Sequence, residues 1–156
     1  MKLAEVMTRD VETIPPDASL QRAAQRMEEL NVGALPVCDG ARLVGVVTDR
    51  DITVRGVSVG ASVSEDVVAD CMSAEPLYAF EDDSVEEALD RMRAAQVRRL
   101  MVIDRDKQLV GVVSLGDVAT KAAAHKSEAA TALQDISTPA KPDRPARPTR
   151  SRKKAS

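Results

Sequence analysis

The sequence predicts an α/β protein: two similar units related by a pseudo-twofold axis, each roughly β-α-β-β-α, with short linker helices and a disordered basic tail. Three observations predict it. One pattern of motifs occurs twice within 156 residues, at an offset of 65 and then 66. Each copy alternates a helix-periodic apolar stripe with short apolar runs bounded by turn residues. The last twenty residues leave both patterns, carrying prolines and basic groups with nothing apolar to bury.

The repeat fixes the organisation. Met7-Thr-Arg-Asp10 returns as Met72-Ser-Ala-Glu75, and Asp17-Ala-Ser19 as Asp82-Asp-Ser84. Ala23, Arg26 and Met27 match Ala88, Arg91 and Met92, and Val32-Gly-Ala-Leu35 matches Val97-Arg-Arg-Leu100. One residue is gained in a turn. Leu43-Val-Gly-Val-Val47 then matches Leu109-Val-Gly-Val-Val113, and Thr48-Asp-Arg-Asp51 matches Ser114-Leu-Gly-Asp117. The units are placed at residues 2–62 and 63–125, and the tail at 137–156.

Each unit opens with a strand ahead of its first helix. Ser19 caps a helix that runs to about Leu30, with Leu20, Ala23, Ala24, Met27 and Leu30 at helical spacing. Ser84 starts the copy, whose inward stripe is Val85, Ala88, Leu89 and Met92. Short strands follow at Ala34–Cys38 and Leu100–Ile103, then turns at Asp39–Arg42 and Asp104–Lys107. The second strands, Leu43–Val47 and Leu109–Val113, are apolar on both faces, as strands covered by helices are. A further helix starts after Thr48 and after Ser114, the latter extended by Ala122–Leu133 with His125 as an ordinary polar residue. Ser64, Glu65 and Asp66 begin a short linker helix that ends near Met72, and Lys2–Met7 is its counterpart. These two short helices are expected to brace the opposite halves. Neither unit buries enough surface alone, so the two pack together and leave two similar clefts between them.

Composition narrows the function classes. Tyr78 and Phe80 are the chain's only aromatic residues, and the core is built from Val, Leu, Ile, Met and Ala. This argues against aromatic cages and against stacking platforms for single-stranded nucleic acid. Two cysteines make no disulfide framework, and with one histidine there is no zinc cluster. Cys38 lies in an apolar run and reads as a buried small hydrophobe. Cys71 opens a polar stretch, which suits exposure; a Cys38–Cys71 bridge is the minor alternative. No run approaches the roughly 18 apolar residues of a membrane span. Glu5 and Asp10 interrupt the first ten residues, so neither membrane insertion nor a leader is expected, and the protein reads as cytoplasmic. The formal charge of −3 is uneven: residues 137–156 carry seven basic groups against Asp143 alone, a net +6, leaving −9 elsewhere. The tail either shields the acidic body or makes weak, salt-dependent contact with nucleic acid or an acidic surface.

Gly45-Val-Val-Thr-Asp-Arg-Asp51 and Gly111-Val-Val-Ser-Leu-Gly-Asp117 are the stretches best able to carry chemistry. Each sets a glycine in a strand, a hydroxyl where strand meets helix, and an acid three residues on. As structure, Thr48 with Asp51 and Ser114 with Asp117 are helix caps with an acid in the first turn. Asp51/Arg55 and Asp117/Lys121 are also spaced for surface ion pairs. As a binding site, the same geometry offers helix N–H groups to phosphate, a carboxylate to a ribose diol, and a hydroxyl to sugar or phosphate. Gly45 and Gly111 would allow close backbone approach.

Here the chain resembles a known family. The first copy contributes Met7-Thr8, Thr13-Ile-Pro-Pro-Asp-Ala-Ser-Leu20, Val32-Gly-Ala-Leu-Pro-Val37 and Leu43-Val-Gly-Val-Val-Thr-Asp-Arg-Asp-Ile52. The second contributes Val97-Arg-Arg-Leu-Met-Val102 and Leu109-Val-Gly-Val-Val-Ser-Leu-Gly-Asp-Val118. Together they look like a tandem pair of CBS domains, the cystathionine-beta-synthase-type regulatory module, over residues 2–122, most like the small stand-alone bacterial CBS-pair proteins. The resemblance implies a flat homodimer that requires no cofactor and binds AMP, ADP or ATP, less often S-adenosylmethionine or NAD(H). It maps a ribose-binding acid onto Asp51 and Asp117 and a hydroxyl onto Thr48 and Ser114. It brings Gly33, Ala34 and Leu35, and Arg98, Arg99 and Leu100, toward base or sugar. Thr13 and Ile14, and Leu77, Tyr78 and Ala79, would close the clefts.

The two copies differ where it matters. Arg98-Arg99 stand in place of Gly33-Ala34. An arginine turned inward gives the second cleft a phosphate partner; both turned outward would face water or a dimer partner. The ligand is expected in the second cleft. With no nucleophile–histidine–acid set, and with Asp17, Asp82 and Asp83 reading as turn or cap residues, an enzyme is the weakest class. The leading reading is a regulatory adenosine-ligand sensor that signals by conformational change to an unidentified partner protein. The alternative is a ligand-free structural or protein-interaction homodimer that associates with nucleic acid through its tail.

Overall fold

Helix α1 (Leu20–Leu30) starts on its cap, Arg22 N–H donating to Ser19 Oγ at 3.0 Å, and ends on Asn31 at φ 53°. Its copy α3 (Val85–Ala95) starts on Ser84, which accepts from Glu87 N–H at 3.2 Å, and ends on Gln96 at φ 55°. Leu20, Ala23 and Met27 are buried, and so are Val85, Ala88, Leu89 and Met92. Ala24, expected on the inward stripe, is exposed, because the i, i+3, i+7 row alone faces the core in this unit. The computed structural model of the protein describes residues 1–122 and 126–137. His125 and the basic tail from residue 138 onward lie outside them.

Each helix leads into a hairpin. β1 (Ala34–Asp39) pairs antiparallel with β2 (Arg42–Thr48), and β4 (Arg99–Ile103) with β5 (Leu109–Ser114). The register shifts at equivalent places, Val37/Cys38 and Val102/Ile103. β3 (Tyr78–Phe80) joins β4 in parallel, so one sheet runs β3-β4-β5. The first strand expected in the other unit shrinks to one parallel bridge, Ile14 with Val37. Proline explains the loss. Glu81 N–H donates to the Ile103 carbonyl at 3.0 Å, and its counterpart Pro16 has no N–H to donate.

The closing helices differ too. α2 (Asp49–Asp51) is one α-turn, followed by a π-wound turn at Ile52–Gly56 and a 3-10 turn at Val57–Val59. The wider winding takes Arg55 out of register with Asp51. In place of the expected ion pair, Arg55 donates to the Cys71 and Met72 carbonyls at 3.4 and 3.3 Å. In the second unit α4 (Leu115–Lys121) is regular, and Lys121 stands 3.6 Å from Asp117. α4 does not run on through Ala122–Leu133: Ala122, at φ −118° and ψ 72°, ends it. A separate α5 (Lys126–Ser137) packs on α3 and α4, buries Ala129 and Ala132, and pairs Asp135 with Arg93 at 3.0 Å.

The two short leading segments cross over. Leu3, Val6 and Met7 enter the core of α3, β4, β5 and α4, while Val68 and Cys71 enter that of α1, β1 and β2. Burying each such side chain contributes roughly 1.5–3 kcal/mol. Bracing of opposite halves therefore holds, with 3-10 turns at Leu3–Glu5 and Val68–Asp70. The linker helix starts later than Ser64 because Ser62 N–H donates to the Asp66 carboxylate at 2.6 Å and ties that stretch into a turn. The crossing buries Cys71, expected at the surface, to 2% exposure; Cys38 is buried as well, and both thiols are free.

Each crossing segment also bridges the opposite hairpin. Thr8 exchanges backbone hydrogen bonds with Val112 at 2.8 and 3.0 Å, and Ser73 with Val46 at 2.9 and 3.1 Å. A Cβ on Gly111 would meet Met7 Sδ at 2.7 Å and the Thr8 carbonyl at 2.8 Å, and one on Gly45 would meet Met72 Sδ and the Ser73 carbonyl, both at 2.7 Å. What approaches these glycines is therefore the chain's own other half, where the sequence alone suggested a ligand. At their far ends the hairpin turns pair with each other, Leu109 N–H to the Ala41 carbonyl at 2.9 Å and Leu43 N–H to the Lys107 carbonyl at 3.2 Å.

Candidate functional site

Both acid–hydroxyl pairs form caps. Asp117 N–H donates to Ser114 Oγ and Ser114 N–H to Asp117 Oδ2, each at 3.0 Å; Thr48 and Asp51 make the same exchange at 3.0 and 2.9 Å. The caps leave one oxygen of each carboxylate. Asp117 Oδ1 is met by the Thr8 hydroxyl at 3.5 Å and the Lys121 ammonium at 3.6 Å. Asp51 Oδ1 accepts no hydrogen bond among the described residues.

The helix N–H groups expected to face phosphate are largely taken. Asp49 N–H donates to the Gly33 carbonyl at 2.9 Å, Arg50 N–H to Asp49 Oδ1 at 2.8 Å, and Leu115 N–H to the Arg98 carbonyl at 3.0 Å. Recognition of an anion therefore falls to side chains.

A cleft of about 360 Å³ lies between the halves. The repeat-equivalent residues Ala34 and Arg99, and likewise Pro36 and Met101, line it together, so it straddles the pseudo-twofold axis. It is nonetheless one-sided. Ser114 and Asp117 contribute to it, with Thr8, Val11 and Glu12 from the first crossing segment, and Leu30, Val32, Leu35 and Val112 as apolar wall. Glu12 is held at 2.8 Å by Arg26, which also reaches Glu29 at 2.6 Å and keeps the Glu29 carboxyl below its usual range.

Of the residues singled out in the sequence, Ala34, Leu35, Arg99, Ser114 and Asp117 line this cleft. Arg98 does not: its guanidinium reaches Ser137 Oγ on α5 at 3.5 Å. Ile14, Ala79 and Leu100 are core residues, and Leu77 is exposed. Thr13 and Tyr78 line two other cavities, at the hairpin-turn end of the strands. Thr48 and Asp51 line none of these three spaces. Beside them Asp49 lies over Gly33, where an added Cβ would be 3.3 Å from Asp49 Oδ2. On the first side of the molecule a carboxylate thus covers Gly33, the position that Arg98 holds in the second copy. Thr8, Val11 and Glu12 were not singled out as cleft residues; crossing of the Lys2–Met7 segment to the second half was the signal that leads to them.

A two-unit α/β module with an apolar-walled cleft on its internal axis, edged by a few polar groups, is the class that fold and site define. The CBS domain model matches residues 3–56 and 68–124, and the chain belongs to that family as a tandem pair. It is 38% identical over 138 residues to an uncharacterized protein of Bacillus subtilis, YlbB, covering 87% of this chain and 91% of that one. Among solved structures it is similar to Arabidopsis thaliana CBSX2 in complex with AMP, at 29% identity and a TM-score of 0.70, covering 80% of this chain and 98% of that one. It is also similar to the Pyrobaculum aerophilum CBS domain protein PAE2072 complexed with AMP, at 26% identity and a TM-score of 0.68, covering 84% and 99%. CBSX2 is a CBS-pair protein and PAE2072 a CBS domain protein. Among the described residues no helix is long and apolar enough to cross a membrane, and no group of three or more His, Cys, Asp or Glu could hold a metal ion.

Proposed function

We propose that the chain is a regulatory module that binds an adenosine-containing ligand in the cleft beside Asp117 and passes the resulting change in shape to a separate protein. One observation carries this reading: Asp117, Ser114 and Arg99 of one half share a cleft with Thr8 and the Ala34–Pro36 edge of the other. A ligand there touches both halves at once, so its binding energy can bias their relative placement. Asp117 Oδ1 accepts from a ribose diol, Arg99 pairs with phosphate, and the apolar wall takes the base. A volume of about 360 Å³ is in the range of small-ligand sites. The AMP complexes of CBSX2 and PAE2072 support the ligand class.

The module acts as a homodimer. Val54, Val57, Val59 and Val63 are 45–75% exposed in and after the π-wound turn of the first half, an apolar stretch suited to a second copy. The site residues on the first side, Gly33, Thr48 and Asp51, are left to structure by the Asp49 carboxylate. The tail's contact with nucleic acid or an acidic surface is a separate proposal, tested by deleting residues 137–156 and measuring binding at low salt.

Calorimetric titration of nucleotide-free protein with AMP, ADP, ATP, S-adenosylmethionine and NADH tests the main reading. Saturable binding of at least one is expected. No heat and no thermal shift with any of them would transfer the assignment to a ligand-free structural dimer.

A further inference from the structure

The strand ends opposite the cleft hold two cavities related by the pseudo-twofold axis. One, of about 410 Å³, is lined by Arg9, Asp10, Thr13 and Gly40 among others. The other, of about 440 Å³, has Ala74, Glu75 and Tyr78 at the positions of Arg9, Asp10 and Thr13. The plan is shared and the chemistry is not. In the second cavity Arg42 and Lys107 stand at the walls, and neither forms an ion pair or a side-chain hydrogen bond among the described residues. Leu43, Pro76 and Ile103 make it partly apolar.

One of the chain's two aromatic residues lines this cavity, and the other, Phe80, packs against it. Tyr78 lines it at 38% exposure and meets Phe80 edge to face, with centroids 5.6 Å apart and planes at 79°. The Arg105 guanidinium covers Phe80 at 4.1 Å from the ring centroid. Arg105 is itself held by two 2.9 Å bonds to the Asp82 carboxylate. The Tyr78 ring is therefore fixed from behind, while Arg42 and Lys107 have no internal partner.

We infer that this cavity is a second ligand site, for a planar molecule carrying a phosphate: the ring packs on Tyr78 and the phosphate pairs with Arg42 and Lys107. The site is independent of the cleft beside Asp117. Its axis-related counterpart, with Thr13 in place of the ring and Asp10 beside Arg9, is an internal control.

Tyr78 is the only tyrosine and the chain has no tryptophan, so intrinsic emission reports this one side chain. The full chain is titrated with AMP, following Tyr78 emission corrected for AMP absorbance, and separately with inorganic phosphate. AMP is expected to give a saturable change, and phosphate, lacking the ring, a weaker affinity. Arg42→Gln with Lys107→Gln is expected to weaken the AMP response about tenfold or more, while Asp117→Asn and Arg9→Gln leave it in place. Both substitutions remove a charge and keep a polar side chain at exposed positions, and an unchanged thermal midpoint verifies the fold. A flat titration would overturn the proposal. So would a response lost in Asp117→Asn but kept in the double variant, since it would then originate in the cleft. Equal affinities for AMP and phosphate would overturn the part played by the ring.

Discussion

Arg98 and Arg99 are consecutive and serve opposite faces: Arg98 reaches the Ser137 hydroxyl at 3.5 Å on α5, while Arg99 lines the cleft beside Asp117. Side chains alternate along an extended chain, so only one of two neighbours can face a given cleft. Arg99→Gln is accordingly expected to weaken AMP about tenfold and to leave adenosine, which lacks the phosphate, unchanged. Arg98→Gln should alter neither. Calorimetry with both ligands measures the four affinities; a larger loss for Arg98→Gln would reverse the assignment.

The two capping acids separate structure from binding. Asp51→Ala and Asp117→Ala each remove a reciprocal cap and should each cost about 1 kcal/mol of stability. Only Asp117→Ala removes a carboxylate from the cleft, so it alone should cost about 10–100-fold in AMP affinity, the worth of hydrogen bonds to a charged group. Denaturant unfolding and calorimetry on the same samples check both halves. Retained affinity in Asp117→Ala with loss in Asp51→Ala would put the ligand on the opposite side of the axis.

Gly111 is enclosed by the crossing segment. Gly111→Ala must displace Met7 Sδ and the Thr8 backbone, which would lie 2.7 and 2.8 Å from the new methyl group. Overpacking of this kind costs about 1–3 kcal/mol. Met7→Ala should not rescue it, because the Thr8 carbonyl is backbone and stays. Since Thr8 also lines the cleft, the same variant should lose AMP affinity. Wild-type stability measured by urea denaturation of Gly111→Ala would mean that the segment yields freely.

Much of this is legible in the sequence, for physical reasons. Helices α1 and α3 are fixed by local signals, a serine cap and an apolar row, and appear where those signals put them. The hairpins follow from the apolar runs and their turns. Pairing across the axis was harder to read. Gly45 and Gly111 announce a close approach without saying what approaches, and the 2.7 Å crowding by Met72 and Met7 comes from residues 27 and 104 positions earlier or later in the chain. Asp49 beside Gly33 and Arg98 on Ser137 are likewise long-range outcomes. The missing strand at Ile14 is legible in principle, since Pro16 withholds the donor that Glu81 supplies in the copy. The end of α4 at Ala122 had no such local mark: Ala122–Ala124 favours helix, and the packing of α5 on α3 decides.

Burial sets the last expectation. Desolvation raises the Cys38 thiol above its ordinary value of 9.0. It raises Cys71 as well, where Asp70, Asp51 and Asp66 add to the shift and Arg55 opposes it. The folded protein therefore holds the thiol protons more tightly than the unfolded chain. That stability is fully present below the unfolded value near 9.0 and is lost as pH rises through the folded values. Unfolding midpoints in urea should fall as the pH rises above 9.0, and less steeply in a Cys38→Ala, Cys71→Ala protein, which subtracts the loss due to other groups. At neutral pH neither thiol should react with an aromatic disulfide reagent until the chain unfolds. Equal slopes for the two proteins, with fast labelling of native Cys71, would mean that the crossing segment opens readily and that its hold on the first half is weak.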